Sequence, residues 1–501
     1  MKKVMMIVLI ILAVLIVIAA ACFGGYCYKN LHWYDRYEKA LKSVNAVEKQ
    51  FTLPSGRVIN YGEVENDKPP LLLIHGQMSI WQDYALVMPE LSEKWHIYAV
   101  DVYGHGCSSH DEDLYYLDVN GDDIITFINE VIGEKTVVAG HSNGALTAAY
   151  IAAYGGENIA GAVLEDPPVF SVEGEGWENS FAYLDTYKPL HDYDLSDKSE
   201  CWEAYYLRHC YWGQLYMKDS MPSIADYAQK YHEKHPDEAV KIFFMPSSVW
   251  NVFEYARHYD HAYGEHFYDL SWNHGYSHSR ILSDIKVPCV YIHAKESIAD
   301  TGVYLCAASA EQANRAAGYI ENCTFIETET GDHVIHTVHS REYIDAVNSL
   351  SKRNDVMLSK NLAVLRDLHG LSQEEAAEIV GISRQAYAKW ERGDTVPDVE
   401  KCALLAEYYG TTIDTLLNFR TEQEGMTIAP APKGKHIWGT VTVSERGQIV
   451  IPKAARELFG IKSGDRLVVL GDDAQGIALM RAEDFERSMN EMLAAAGKKC
   501  E

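Results

Sequence analysis

At 501 residues the chain exceeds one ordinary domain, and at roughly 150 residues per domain it should hold two to four units. A composition of 47% hydrophobic and 23% charged residues excludes a disordered or low-complexity protein. The net charge of −28 excludes a chain that coats nucleic acid without specificity, so any DNA-binding surface must be a local basic patch. The charge is uneven: residues 1–356 carry 26 basic and 50 acidic side chains, and residues 357–501 carry 18 and 22. The ten cysteines contain no C-x-x-C pair, so neither a zinc site nor a dense disulfide framework is implied, and no metal or cofactor is expected.

In chain order, Met1, Lys2 and Lys3 precede an uncharged run from Val4 to Phe23, about the length that spans a bilayer. Residues 1–28 are read as a membrane anchor or signal, and residues 29–50 as a juxtamembrane segment. Ala19-Ala20-Ala21-Cys22 offers a cleavage or lipidation alternative. Lys2 and Lys3 on one side face Lys29, Arg36, Lys39 and Lys42 on the other, so the positive-inside rule does not choose an orientation. The short basic start resembles an N-in anchor, which would place everything downstream outside.

From about Phe51, short apolar runs alternate with longer helical stretches. Leu71–Ile74, Ile97–Val100, Thr136–Ala139, Ala162–Leu164 and Val290–Ile292 read as buried parallel strands, and helical patterns between them imply a doubly wound sheet. The strand at Thr136–Ala139 runs into Gly140-His141-Ser142-Asn143-Gly144 and then an Ala-rich helix. This is G-x-S-x-G in the strand–turn–helix context that projects a serine hydroxyl above a sheet edge. Residues 51–352 resemble the α/β-hydrolase family, with a helical cap at about 169–283. Three further landmarks carry the resemblance: Leu73-Ile74-His75-Gly76-Gln77, Asp101-Val102-Tyr103-Gly104-His105-Gly106-Cys107-Ser108, and Thr330-Gly331-Asp332-His333 after a late strand.

The resemblance implies a serine hydrolase acting on a small-molecule acyl substrate, with an ester as the default. Ser142 is the expected nucleophile and His333 the base, with His336 as the alternative. The backbone N–H groups of Gln77 and Asn143 are the expected oxyanion donors. Ser297 stands near the position where the family usually has its acid, so the acid is open among Asp166, Glu296, Asp300 and Glu165, with Asp166 favoured. The cap is rich in Tyr, Trp and His, which suits an apolar pocket, although helix packing accounts for most of those rings. His258, His261 and His266 lack the ligands that would complete a metal site.

The character of the chain changes after Asp355. Leu358 to His369 reads as a helix ended by Gly370, Ser372-Gln373-Glu374-Glu375 as a capping box, and Ser383 to Gly393 as a further helix. Within a domain at 357–425, about residues 358–418 resemble the phage-repressor (XRE-type) helix-turn-helix family. The resemblance implies sequence-specific DNA binding, with Gln373, Arg384, Gln385 and Lys389 as the expected contacts. The alternative is a small protein-interaction bundle, since residues 357–425 carry 7 basic and 12 acidic side chains.

After a linker at 426–438, residues 439–501 hold alternating strands at Thr440–Val443 and Gln448–Pro452, a short helix at Ala454–Phe459 and a strand from Leu467. They resemble the AbrB/MazE swapped-hairpin family, which interleaves two chains. A homodimer is therefore implied, with Arg446, Lys453 and Arg456 as the available DNA-facing bases. A DNA-binding regulator needs the cytoplasm, whereas an N-in anchor sends it outside. Three readings follow: an N-out anchor, a hydrolase half that is only a sensor or passenger, or a junction of two neighbouring reading frames beginning anew at Met357.

Overall fold

The apolar runs form the strands they predict, with two additions at one edge, Val47–Thr52 and Val58–Val64. In the computed structural model an eight-stranded sheet comprises β1 (Val47–Thr52), β2 (Val58–Val64), β3 (Pro70–Ile74), β4 (His96–Val100), β5 (Thr136–His141), β6 (Ile159–Glu165), β7 (Cys289–His293) and β8 (Cys323–Glu327). Residues 2–393, 395–419, 422–423, 426–427, 442–443, 448–472, 476–487 and 489 are described. The spatial order is β1-β2-β4-β3-β5-β6-β7-β8; β2 is antiparallel to both neighbours and the remaining pairs are parallel. β1 lies ahead of Phe51, where the sequence pattern begins. Its residues, Val47-Glu48-Lys49-Gln50-Phe51-Thr52, are mostly exposed, so an edge strand of this kind carries no apolar run to announce it.

Strand period divides the core. Leu72, Ile74, Val138 and Leu164 pack on one face of the sheet, while Leu71, Leu73, Val137, Ala139 and Val163 pack on the other. A third cluster lies largely in the helical cap and is built on Ala204, Leu207, Ile224, Trp250 and Phe253. It also takes in Trp33 and Tyr37, from the segment that the sequence alone assigns to a juxtamembrane stretch. Ahead of that segment stands the helix Lys2–Leu31, long and apolar enough to cross a membrane, with its apolar side chains exposed.

The chain divides into two compact units, Met1–Lys352 and Arg353–Glu501. In the second, the end of helix Ser340–Leu368 is followed by helices Gln373–Ile379, Arg384–Arg392, Val399–Tyr408 and Ile413–Asn418. Leu358, Leu362, Leu365, Tyr387, Trp390, Leu405 and Leu416 form their core. Ser372 and Glu375 form the reciprocal capping box, and Gly370, Gly381 and Gly393 close helices with positive φ. The first helix does not start at Leu358, as its apolar period indicates. Ser351 to Asp355 contains neither Gly nor Pro, so nothing breaks the helix there.

Further on, a helix at Lys453–Leu458 precedes the antiparallel pair Leu467–Asp472 and Gly476–Arg481. Gln448–Pro452, expected as a strand, is not in one. Of the expected strand at 440–443, residues 440 and 441 lie outside the described residues.

Candidate active site

β5 ends at His141 and helix Asn143–Tyr154 begins two residues later, leaving Ser142 in the turn with φ 55°, a left-handed conformation that a side chain disfavours. The turn closes because its neighbours lack side chains. A Cβ on Gly140 would lie 2.1 Å from the Gly144 carbonyl oxygen, and one on Gly144 would lie 2.3 Å from that of His75. The Ser142 N–H donates to the Glu165 carbonyl at 2.8 Å, fastening the elbow to the end of β6. A Cβ on Gly76 would lie 3.1 Å from Ser142 Cβ, so the His-Gly turn after β3 sits against the elbow. Asn143 is the first helical residue, and its N–H has no acceptor within the helix.

Asp166, the favoured candidate for the acid, stands at the next strand end. Asp166 follows β6 in a positive-φ position (φ 42°) and is fully buried. Its Oδ2 lies 2.6 Å from His333 Nδ1, and its Oδ1 lies 3.2 Å from His293 Nδ1 and accepts from the Ala294 N–H at 3.0 Å. Burial works against the charged carboxylate, but the hydrogen bonds from His293 and His333 outweigh it and lower the Asp166 pKa. The His333 side chain is 40% exposed, so it faces open space on its other side. Glu296 is occupied elsewhere, accepting from the Ala310 N–H at 2.7 Å, and Asp300 is exposed.

Glu165 and His336, two alternatives from the sequence, pair with each other. His336 Nδ1 lies 2.9 Å from both Glu165 oxygens, its N–H donates to Oε1 at 2.7 Å, and its Nε2 lies 3.5 Å from Asp83 Oδ2. His336 is 1% exposed. Burial alone would lower its pKa, but Glu165 and Asp83 prevail and hold it at about 10, so the ring is a buried imidazolium at neutral pH. His141 between the sites is the opposite case: burial takes its pKa down to about 4, and Nε2 donates to the His333 carbonyl at 3.1 Å. The Asp101–Ser108 loop is a brace. Asp101 accepts from the Trp81 N–H at 2.7 Å, and His105, kept neutral by burial, accepts from the Met78 N–H at 3.2 Å.

Three cap tyrosines reach the two residues expected to supply oxyanion donors. Gln77 Nε2 donates to the Tyr259 hydroxyl and Asn143 Nδ2 to the Tyr263 hydroxyl, both at 2.7 Å, while the Tyr187 hydroxyl donates to Gln77 Oε1. Sequence reasoning missed these three, as it missed His293 and Asp83. Aromatic richness in the cap was visible, but the particular rings are not separable among 33 tyrosines. Among the described residues, Cys201, Glu203 and His232 in the cap could hold a cation, their ligand atoms lying within 4.8 Å of one another.

In the second unit Arg384, Gln385 and Lys389 are exposed on helix Arg384–Arg392. Gln373 is engaged internally: its amide donates to Glu391 at 2.7 Å, beside the Arg366–Glu391 ion pair at 2.6 Å. Arg456 is exposed, with Nε donating to the Ile451 carbonyl at 3.1 Å. Arg446 and the Lys453 side chain lie outside the described residues.

The α/β hydrolase fold family matches residues 69–191, and with the sheet order and elbow above it defines the first unit as an α/β-hydrolase fold domain. The helix-turn-helix family matches residues 362–416 and the MazE bacterial antitoxin family residues 440–484. Through its second unit the chain belongs to the helix-turn-helix transcriptional regulators: it is 32% identical over 89 residues to the regulator AnsR of Bacillus subtilis, covering 17% of this chain and 74% of that protein. An esterase/lipase-type protein of Haemophilus influenzae is 29% identical over 113 residues, 23% of this chain and 39% of that relative's length. An esterase from Exiguobacterium antarcticum superposes with a TM-score of 0.44 at 15% identity, over 60% of this chain and 98% of the esterase.

Proposed function

We propose that the first unit is a membrane-anchored serine hydrolase of ester bonds, with Ser142 as nucleophile, His333 as general base and Asp166 as the acid. The observation that carries this reading is the Asp166 carboxylate, 2.6 Å from His333 Nδ1 at the strand end next to the Ser142 elbow. Ser142 Oγ attacks the ester carbonyl carbon as its proton passes to His333 Nε2. The developing oxyanion is stabilised by the Gln77 and Asn143 N–H groups. The tetrahedral intermediate collapses, the alcohol leaves with the proton from His333, and water, deprotonated by the same ring, releases the carboxylic acid and restores Ser142. Asp166 keeps Nδ1 protonated and supports the transient imidazolium. In a panel of esters, Ser142→Ala is expected to lower kcat by a factor on the order of 10⁴ or more, and Asp166→Asn by a similar order. Retained turnover in Ser142→Ala sinks the assignment.

For the second unit we propose sequence-specific DNA binding through Arg384, Gln385 and Lys389, as a homodimer through the swapped hairpin. The exposed Val469 and Ile477 on the Leu467–Arg481 hairpin support a second chain covering them. The alternative reading, a DNA-binding regulator whose hydrolase half senses or merely tethers, is favoured by the 74% coverage of a transcriptional regulator.

A further inference from the structure

The segment that joins the apolar helix to the hydrolase is packed into the enzyme. Tyr26 and Tyr28 are exposed near the end of helix Lys2–Leu31, where aromatic hydroxyls mark a membrane interface. Two residues later Asn30 is 7% exposed. Its Oδ1 accepts from the Ser247 N–H at 3.3 Å and its Nδ2 donates to the Phe243 carbonyl at 3.5 Å, both in the cap. Trp33 meets Trp250 and Tyr255 edge-on, with centroids 6.5 and 6.1 Å away. On the next helix, Asp35–Ser43, Tyr37 is buried in the cap cluster with Ala85, and its hydroxyl lies near Thr337. Thr337 is four residues beyond His333, and the adjacent Val338 is 56% exposed.

The docked segment therefore lies against the cap on one side and, at Thr337, against the short helix that follows the His333 loop on the other. At about 1.5 Å per residue, Tyr28 and Trp33 are separated by only about 8 Å along the chain axis. A soluble ester gains nothing from a pocket held at one height above a bilayer. An ester whose chains lie in the membrane does, because each methylene drawn into water adds to the barrier.

We propose that the substrates of this site are bilayer-borne acyl amphiphiles, esters whose chains remain in the membrane while the carbonyl rises to a cap–loop seam that the packed Asn30–Tyr37 segment holds at the surface. This rests on Ser142 as nucleophile and on the apolar helix as an anchor. The reaction is the ester hydrolysis written above, with water as the co-reactant.

The test uses the full chain and a variant with twelve Gly/Ser residues inserted between Gly24 and Gly25. Both glycines face open space, ahead of the docked residues. Each protein is reconstituted in phosphatidylcholine vesicles carrying a long-chain fluorogenic diacylglycerol ester, and assayed separately on water-soluble p-nitrophenyl butyrate. The insertion, with an r.m.s. reach of about 20 Å, is expected to lower vesicle turnover about tenfold and to leave the soluble ester within about twofold. Vesicle turnover unchanged by the insertion, or a wild-type chain that hydrolyses only the soluble ester, overturns the proposal. A wild-type chain inactive on both esters removes the hydrolase reading beneath it, and one that does not float with the vesicles removes the anchor. Soluble-ester turnover reports folding of the variant in the same experiment.

Discussion

At His336 one ring holds three loops. Glu165 precedes Asp166 and receives the Ser142 N–H on its carbonyl, Asp83 follows the His75-Gly76 turn, and His336 itself lies three residues beyond His333. Removing one member of a buried pair leaves the other charge uncompensated, which costs about 3–5 kcal/mol. His336→Asn is therefore expected to lower stability by roughly that amount at pH 7. Because the folded pKa is raised to about 10, the pairing contributes fully below the ordinary histidine range and is lost as pH rises through 10. Asp83 has the opposite sign: with its pKa lowered to about 2, its contribution is present above the ordinary carboxylate range and is lost as pH falls through 2. Thermal melts from pH 6 to 10.5 should show the stability advantage of wild type over His336→Asn shrinking steadily, on top of the alkaline loss that the buried tyrosines impose on both. Parallel curves would remove the imidazolium from the account. The His336–Glu165 pairing was not legible in the sequence, which singled out His336 only as an alternative base and Glu165 only as a candidate acid. A charge pair assembled from β6, the His75-Gly76 turn and the last loop has no local signature.

The elements that carry the chemistry were legible where geometry forces a residue type. Gly140 and Gly144 are fixed by backbone approaches, and Gly76 by the His141 ring and Ser142 Cβ, that leave no room for a methyl group, and the elbow and His-Gly motifs are the visible trace of those approaches. Gly144→Ala places Cβ against two backbone carbonyls, of His75 and Ile74, and is expected to destabilise the first unit by about 3 kcal/mol or more. Gly318→Ala, in helix Ala310–Tyr319 with nothing within 4 Å, should instead gain up to about 1 kcal/mol. Differential scanning calorimetry separates the two, and equal effects would mean the elbow is looser than its contacts indicate. The sequence failed at elements defined by pairing or packing rather than composition. β1 is a polar edge strand, Ser351 to Asp355 is a hydrophilic stretch inside a continuous helix, and Trp33 and Tyr37 belong to the cap cluster although they follow the apolar helix.

At the scale of the whole molecule, two units with opposed needs share one chain. The bilayer-held seam proposed above suits the first, while the second, as a helix-turn-helix regulator, needs access to DNA. If the second unit binds an operator, its footprint should be salt-dependent and should weaken when Arg384 and Gln385 are both replaced by Ala, by about 1–3 kcal/mol per lost base contact. A protein that protects no site at low salt would leave the bundle as an interaction module. Gln373, tied to Glu391, is expected to matter less than the exposed arginine, a ranking that residue type alone did not provide. The claim on which the rest depends is that Ser142 is the nucleophile. Its most direct measurement is peptide mapping by mass spectrometry of the full chain after reaction with a fluorophosphonate. The account predicts a single adduct on the Ser142 peptide, absent from Ser142→Ala; an adduct on another serine, or none in folded protein, would contradict it.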